Sequence, residues 1–145
     1  MPLDVDVTTP ERVVLSAKDV EMVVVPGVLG EMGFLPNHTH LLSPLKPGKV
    51  EVALRGEQRY LAVSGGFVEA SPERVHILAE TAEPAEKIDV ERAERAKERA
   101  EQRLAQPSEE INIARAQASL ARAVNRLAVA ELARDVRRVR LLHKG

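Results

Sequence analysis

The chain has 145 residues, 21 Lys and Arg against 22 Asp and Glu for a net charge of -1, no Cys, and only Phe34, Tyr60 and Phe67 as aromatics. That length suits one ordinary domain or two small modules, and the near-balance of charge supplies no field to gather nucleic acid or an anionic membrane. The missing Cys removes disulfides, thiolate metal sites and thiol nucleophiles, and three aromatics are too few for a base-stacking platform. Met1 to Asp6 carries no leader-like pattern and no apolar run approaches the roughly 18 residues of a membrane span, so the chain reads as a soluble, unprocessed, intracellular type.

The composition breaks near Pro84. Seven of eight Gly and all three aromatics precede it, whereas Ala, Arg and Glu dominate after it. Residues 1–84 carry 7 basic and 12 acidic side chains, and residues 85–145 carry 14 and 10, so the halves hold charges of -5 and +4. This predicts two modules, 1–84 and 85–145, divided at Glu83-Pro84-Ala85-Glu86.

The first module reads as short strands between turn signals. Leu3 to Val7 and Lys49 to Leu54 alternate with period 2, as strands with one buried and one wet face do. Val13-Val14-Leu15, Met22 to Val25, Tyr60 to Val63, Gly66 to Ala70 and Val75 to Ala79 are apolar or β-branched runs of strand length. Gly27 to Pro36 reads as a glycine-rich loop. Arg55 to Gln58 and Ala70 to Arg74 have the character of hairpin connections, so an antiparallel sandwich or barrel is expected.

The second module is helical. Asp89 can cap a helix running to Leu104, Pro107-Ser108 interrupts, Ser108 can cap again, and no breaker follows from Glu109 to about Leu142. The short connection predicts an antiparallel hairpin or one nearly continuous rod. Contacts are expected mostly through Ala93, Ala96, Ala100, Ala114, Ala118 and Ala121, each burying little area, so the hairpin should be marginal. The fold class expected is α+β in two modules, an N-terminal antiparallel β-sandwich followed by a C-terminal two-helix hairpin.

Catalytic signals are absent. Ser64 in Ala62-Val63-Ser64-Gly65-Gly66 is not a nucleophile elbow, and no phosphate-binding glycine motif occurs. His38 and His40 stand two apart without further ligands for a metal. The arginines carry more. At 100° per residue, Arg92, Arg95, Arg99 and Arg103 share one face of the first helix, and Arg115, Arg122, Arg126, Arg137 and Arg140 one face of the second. Pairing the helices at equal distances from Pro107 sets Arg92 near Arg122, Arg99 near Arg115 and Ile88 near Arg126. Guanidiniums brought together this way call for an anion, either a nucleotide phosphate or an acidic protein surface. A solvated face, a free-standing adaptor with a helical tail, and a nucleic-acid binder using the basic second helix are the competing readings.

At whole-chain scale the sequence resembles the ε subunit of the bacterial F-type ATP synthase. The likeness rests on Val25 to His38, Leu45-Lys46-Pro47-Gly48, Ser64 to Glu69, Val75 to Ala82 and Ile88-Asp89-Val90-Glu91-Arg92-Ala93, in that order and spacing. It departs at Thr39-His40, where a Pro often follows the residue after His38. The resemblance implies a non-catalytic regulatory subunit, peripheral at the cytoplasmic face of the bacterial membrane. Its sandwich would bind the γ subunit and the c-ring, with Glu31 and His38 at those interfaces. It further implies ATP as a regulatory ligand, held by Glu83, Ile88, Asp89, Arg92, Ala93, Arg99, Arg122 and Arg126 in a closed hairpin. Without ATP, the extended hairpin would carry Arg115, Arg122 and Arg126 to acidic β-subunit surfaces and block hydrolysis.

Overall fold

Leu3, Val5 and Val7 have no exposed surface while Asp4, Asp6 and Thr8 between them are half-buried, so the period-2 pattern of the first strand is a pattern of burial. The computed structural model describes residues 2–106 and 110–143, with side chains over 2–106 and 112–135. It divides into two compact units, Met1–Pro84 and Ala85–Gly145.

The first unit contains β1 (Leu3–Thr8), β2 (Val13–Val20), β3 (Met22–Gly27), β4 (Gly30–Phe34), β5 (Leu41–Leu45), β6 (Gly48–Leu54), β7 (Glu57–Ala70) and β8 (Arg74–Pro84). They form one hydrogen-bonded sheet in the order β2-β1-β8-β7-β5-β3-β4, with β6 pairing both β3 and β7. All pairings are antiparallel except β1 with β8. The sheet folds around a core of Leu3, Val5, Val7, Val23, Val25, Phe34, Val50, Val52, Leu61, Val63, Val68, Val75 and Ile77, an aliphatic interior with a single aromatic ring.

Two expectations change. The runs Tyr60 to Val63 and Gly66 to Ala70 belong to one fourteen-residue strand, β7. Along one edge β7 stays with β8, and along the other it leaves β6 at Val63 and takes up β5 at Gly66. The change of partner falls at Gly65 and Gly66, whose φ values of 60° and 114° give the strand a kink that residues with a Cβ rarely adopt. A Cβ on Gly66 would also run into the Leu78 carbonyl and come within 2.9 Å of Ala79 Cα. The predicted loop from Gly27 to Pro36 is mostly a hairpin: β3 and β4 pair from Val23↔Phe34 to Gly27↔Gly30, with Val28 and Leu29 at its exposed tip. Elsewhere, Gly56 with φ 71° closes the two-residue turn between β6 and β7.

In the second unit a single 3₁₀ turn, Ala85–Lys87, precedes α1 (Val90–Ala105), and α2 runs Glu110–His143. Asp89 caps α1, its carboxylate accepting a hydrogen bond from the Arg92 backbone N at 3.1 Å. The expected cap at Ser108 lies outside the described residues. The helices pack together through Ala93 and Ala100 on α1 and Ala116, Ala123, Val129 and Ala130 on α2. Ala114, Ala118 and Ala121, expected at this seam, are exposed. Steps of seven from Ala116 to Ala123 to Ala130 keep one stripe facing a partner helix, whereas 114, 118 and 121 lie on another arc of the same helix.

Candidate functional site

The candidate residues fall on both units. In the first, Glu31 is exposed on β4 beside the hairpin tip, and its Oε1 lies 4.0 Å from Lys49 Nζ. It therefore stands on a strand held by backbone pairing to Pro26 rather than on a loop. His38 is half-buried, its ring edge-on to Phe34 at 4.9 Å and its Nδ1 2.9 Å from the Thr39 carbonyl. The bend that presents it passes through Asn37, which has φ 68° and donates its backbone N–H to the Pro72 carbonyl at 2.8 Å. Glu83 is half-buried on β8 opposite Ala62.

In the second unit Ile88 is buried immediately before α1, Asp89 caps it, and Arg92 is exposed in its first turn. Ala93 has no exposed surface, its methyl being taken up in the seam. Arg99, Arg115 and Arg122 are exposed. Arg122 Nη2 donates to Ser119 Oγ on its own helix at 3.2 Å, while Arg126 is half-buried with its Nε shielded from solvent.

The register of the hairpin differs from equal-distance pairing. A cavity of about 230 Å³ is lined by Val90 and Glu94 of α1 and by Leu127, Ala130, Glu131, Arg134 and Asp135 of α2. Pairing about Pro107 would have set Val90 beside Val124. The observed level is about two turns further along α2. A shift of roughly two and a half turns sets Ala93 level with Ala130 and Ala100 with Ala123, in agreement with their burial. The pairs Arg92 with Arg122, Arg99 with Arg115 and Ile88 with Arg126 are thereby staggered, and three carboxylates with Arg134 line the mouth cavity instead. Sequence reasoning missed Arg134, Glu94, Glu131 and Asp135, because the helices hold several alanine stripes and only packing selects the one that is buried.

Among the described residues no group of three or more His, Asp or Glu is placed to hold a metal, and no helix is long and apolar enough to cross a membrane.

Two family models together span residues 2–131: the ATP synthase, Delta/Epsilon chain, beta-sandwich domain over residues 2–85, and the ATP synthase, Delta/Epsilon chain, long alpha-helix domain over residues 86–131. The chain belongs to the ATP synthase delta/epsilon family. Among its relatives, the ATP synthase epsilon chain of Desulforamulus reducens is 52% identical over 99 residues, 68% of this chain and 74% of that protein. The epsilon chain of Moorella thermoacetica is also 52% identical, over 104 residues, 70% of this chain and 76% of that one.

A solved chain from the Euglena gracilis mitochondrial ATP synthase, OSCP/F1/c-ring assembly superposes with a TM-score of 0.72 at 28% identity, covering 88% of this chain and 79% of that one. A Tetrahymena thermophila mitochondrial ATP synthase central stalk/c-ring chain shares the fold, with a TM-score of 0.57 at 13% identity over 88% and 96% of the two chains. The relatives identify the epsilon branch of the family, a non-catalytic subunit of the synthase.

Proposed function

We propose that this chain is the central-stalk ε subunit of a proton-translocating F-type ATP synthase, seated peripherally at the cytoplasmic face of a bacterial membrane through its complex. In this reading the sandwich joins γ and rests on the c-ring. The exposed β3–β4 tip with Glu31 meets the ring, and His38 faces γ. The hairpin is the regulatory element. Closed, it holds ATP through Arg92, Arg99, Arg122 and Arg126, with Ile88, Asp89 and Ala93 at the base and Glu83 closing the site. Extended, it carries Arg115, Arg122 and Arg126 to acidic β-subunit surfaces and blocks hydrolysis.

The observation that carries the regulatory half is the placement of Ile88 to Ala93. This segment forms the capped start of α1, while Arg92, Arg99 and Arg122 stay at the surface of a hairpin whose seam is nearly all alanine. Small seam residues contribute little apolar burial, so opening costs little. A ligand that binds only the closed form then shifts the balance by RT ln(1 + [L]/Kd), about 2.7 kcal/mol at a hundredfold excess over Kd. ADP has fewer phosphate charges for the same guanidiniums and should bind more weakly.

The test is a titration of the isolated full chain with ATP and ADP, read by a fluorophore pair across the two helices. ATP should compact the hairpin at lower concentration than ADP, and Arg92→Ala and Arg126→Ala should each weaken the response roughly tenfold. No compaction at millimolar ATP, or a response from the two variants equal to that of the unaltered chain, would remove the nucleotide from this account.

A further inference from the structure

β4 ends the sheet: β3 pairs with it along one side, and among the described residues no strand pairs with it along the other. Which backbone groups face that open side follows from Pro26. It has no N–H, and its carbonyl accepts from the Lys46 backbone N at 3.0 Å, just past β5 on the side of β3 away from β4. The Pro26↔Glu31 rung therefore holds no hydrogen bond, and in an antiparallel ladder the Glu31 N–H and C=O then point outward. Two residues on, at the Val24↔Gly33 rung, Gly33 does the same, while Met32 between them turns its groups to Val25.

Little in this edge guards it. Natural edges are protected by Pro, Lys, a bulge or a covering element. Gly30 to Phe34 contains neither Pro nor Lys, its rungs to β3 run without a shift, and its one charge, Glu31, lies 4.0 Å from Lys49 Nζ. Glu31 and Gly33 are exposed. So are the aliphatics at the two ends of the strand: Val28 is 51% exposed, Leu29 fully and Leu35 57%.

We infer that the open edge of β4 pairs with β4 of a second copy of this chain, antiparallel about a twofold axis at Met32. In this register Glu31 of each copy lies opposite Gly33 of the other, and every outward N–H and C=O of one strand meets its complement on the other. No acid faces an acid, because Gly33 offers no side chain and each Glu31 keeps its Lys49. The same register sets Leu29 of one copy opposite Leu35 of the other, so the exposed aliphatics cover each other at both ends. A slip of two residues sets Glu31 against Glu31 in one direction and Gly33 against Gly33 in the other, and matches fewer of the outward groups. An unrelated strand has no reason to supply these matches, whereas a second copy supplies them all. The contact is isologous and closes at two copies. An edge contact confined to residues 29–35 falls below the roughly 1,200 Å² of stable complexes, so the dimer forms at high concentration. Glu31 and the tip are also what the proposed function gives to the c-ring, so a paired subunit is one outside the assembled complex. That consequence rests on the proposed function; the pairing does not.

The test is sedimentation of the full-length chain from about 10 μM to about 1 mM, with amide hydrogen exchange followed by NMR at both ends of that range. The weight-average mass should rise from that of one chain toward that of two. The Glu31 and Gly33 amides should exchange at least tenfold more slowly at the high concentration, whereas the Met32 amide, already bonded to β3, should not change. A Cβ on Gly33 meets only Met22 Sδ at 4.0 Å, so Gly33→Lys and Gly33→Glu are both compatible with the fold. Lys set opposite Glu31 should tighten the dimer roughly threefold, and Glu there should weaken it by as much. Leu29→Ser, at the exposed tip, should weaken it roughly tenfold. A constant single-chain mass up to about 1 mM, a dimer whose Glu31 and Gly33 amides stay unprotected, or equal responses to Gly33→Lys and Gly33→Glu would overturn the assignment. Neither nucleotide nor other subunits enter this assay, so its failure would leave the proposed function standing.

Discussion

Tyr60 is the single tyrosine of the chain, and its hydroxyl donates to Gln58 Oε1 at 2.8 Å while its ring is buried opposite Glu51. Burial first, and then the Glu51 carboxylate, raise its pKa above the ordinary value of 10.0. A group whose pKa is raised on folding contributes stability that is complete below the unfolded value and is lost as pH climbs through the folded one. The unfolding midpoint should therefore fall above pH 10, with tyrosinate absorbance in the native protein appearing later than in denaturant. Tyr60→Phe should flatten that part of the profile, and an unchanged slope would assign the loss to other groups. At Gly66 the demand is steric. Gly66→Ala should destabilise the sandwich by about 1–3 kcal/mol from backbone strain alone, which denaturant unfolding of the full chain would measure.

The alanine seam of the hairpin sets how closely α1 and α2 lie, because a methyl on each side leaves no long side chain between the backbones. Enlarging one member should be felt more than trimming it. Ala100→Leu inserts a branched side chain into a position with 1% exposure and should cost about 1–3 kcal/mol of hairpin stability. The fluorophore pair across the helices should then report a more open average. The same change at the exposed Ala118 should be nearly silent. If both variants behaved alike, the assigned seam would be wrong. Among the strands, β4 illustrates why some elements were hidden: Gly30-Glu31-Met32-Gly33-Phe34 holds two glycines and a charge, a composition that reads as loop. It forms a strand because β3 offers it a full ladder and Phe34 enters the core.

For the whole molecule, the core residues from Leu3 to Ala82 all belong to the first unit, and the final rung of β8 pairs Pro84 with Leu61. A fragment ending at Pro84 should thus fold cooperatively with the unfolding midpoint of the sandwich little changed, whereas residues 85–145 alone should melt broadly. A fragment 1–84 that failed to unfold as one transition would show that the sandwich depends on the helices. Much of this was legible in the chain itself. Alternation in Leu3 to Val7 and Lys49 to Leu54, the Asp89 cap and the compositional break at Pro84 are local signals, and each acts through backbone preference or through which side chains water rejects. The motif order from Val25 to Ala93 carried the family, since membership lies in sequence rather than in any one contact. Tertiary structure decided what depends on partners distant in the chain. The joining of two apolar runs into β7 and the offset of about two turns that staggers the arginines are both matters of register. Register is set by how whole faces pack, and no window of consecutive residues contains it.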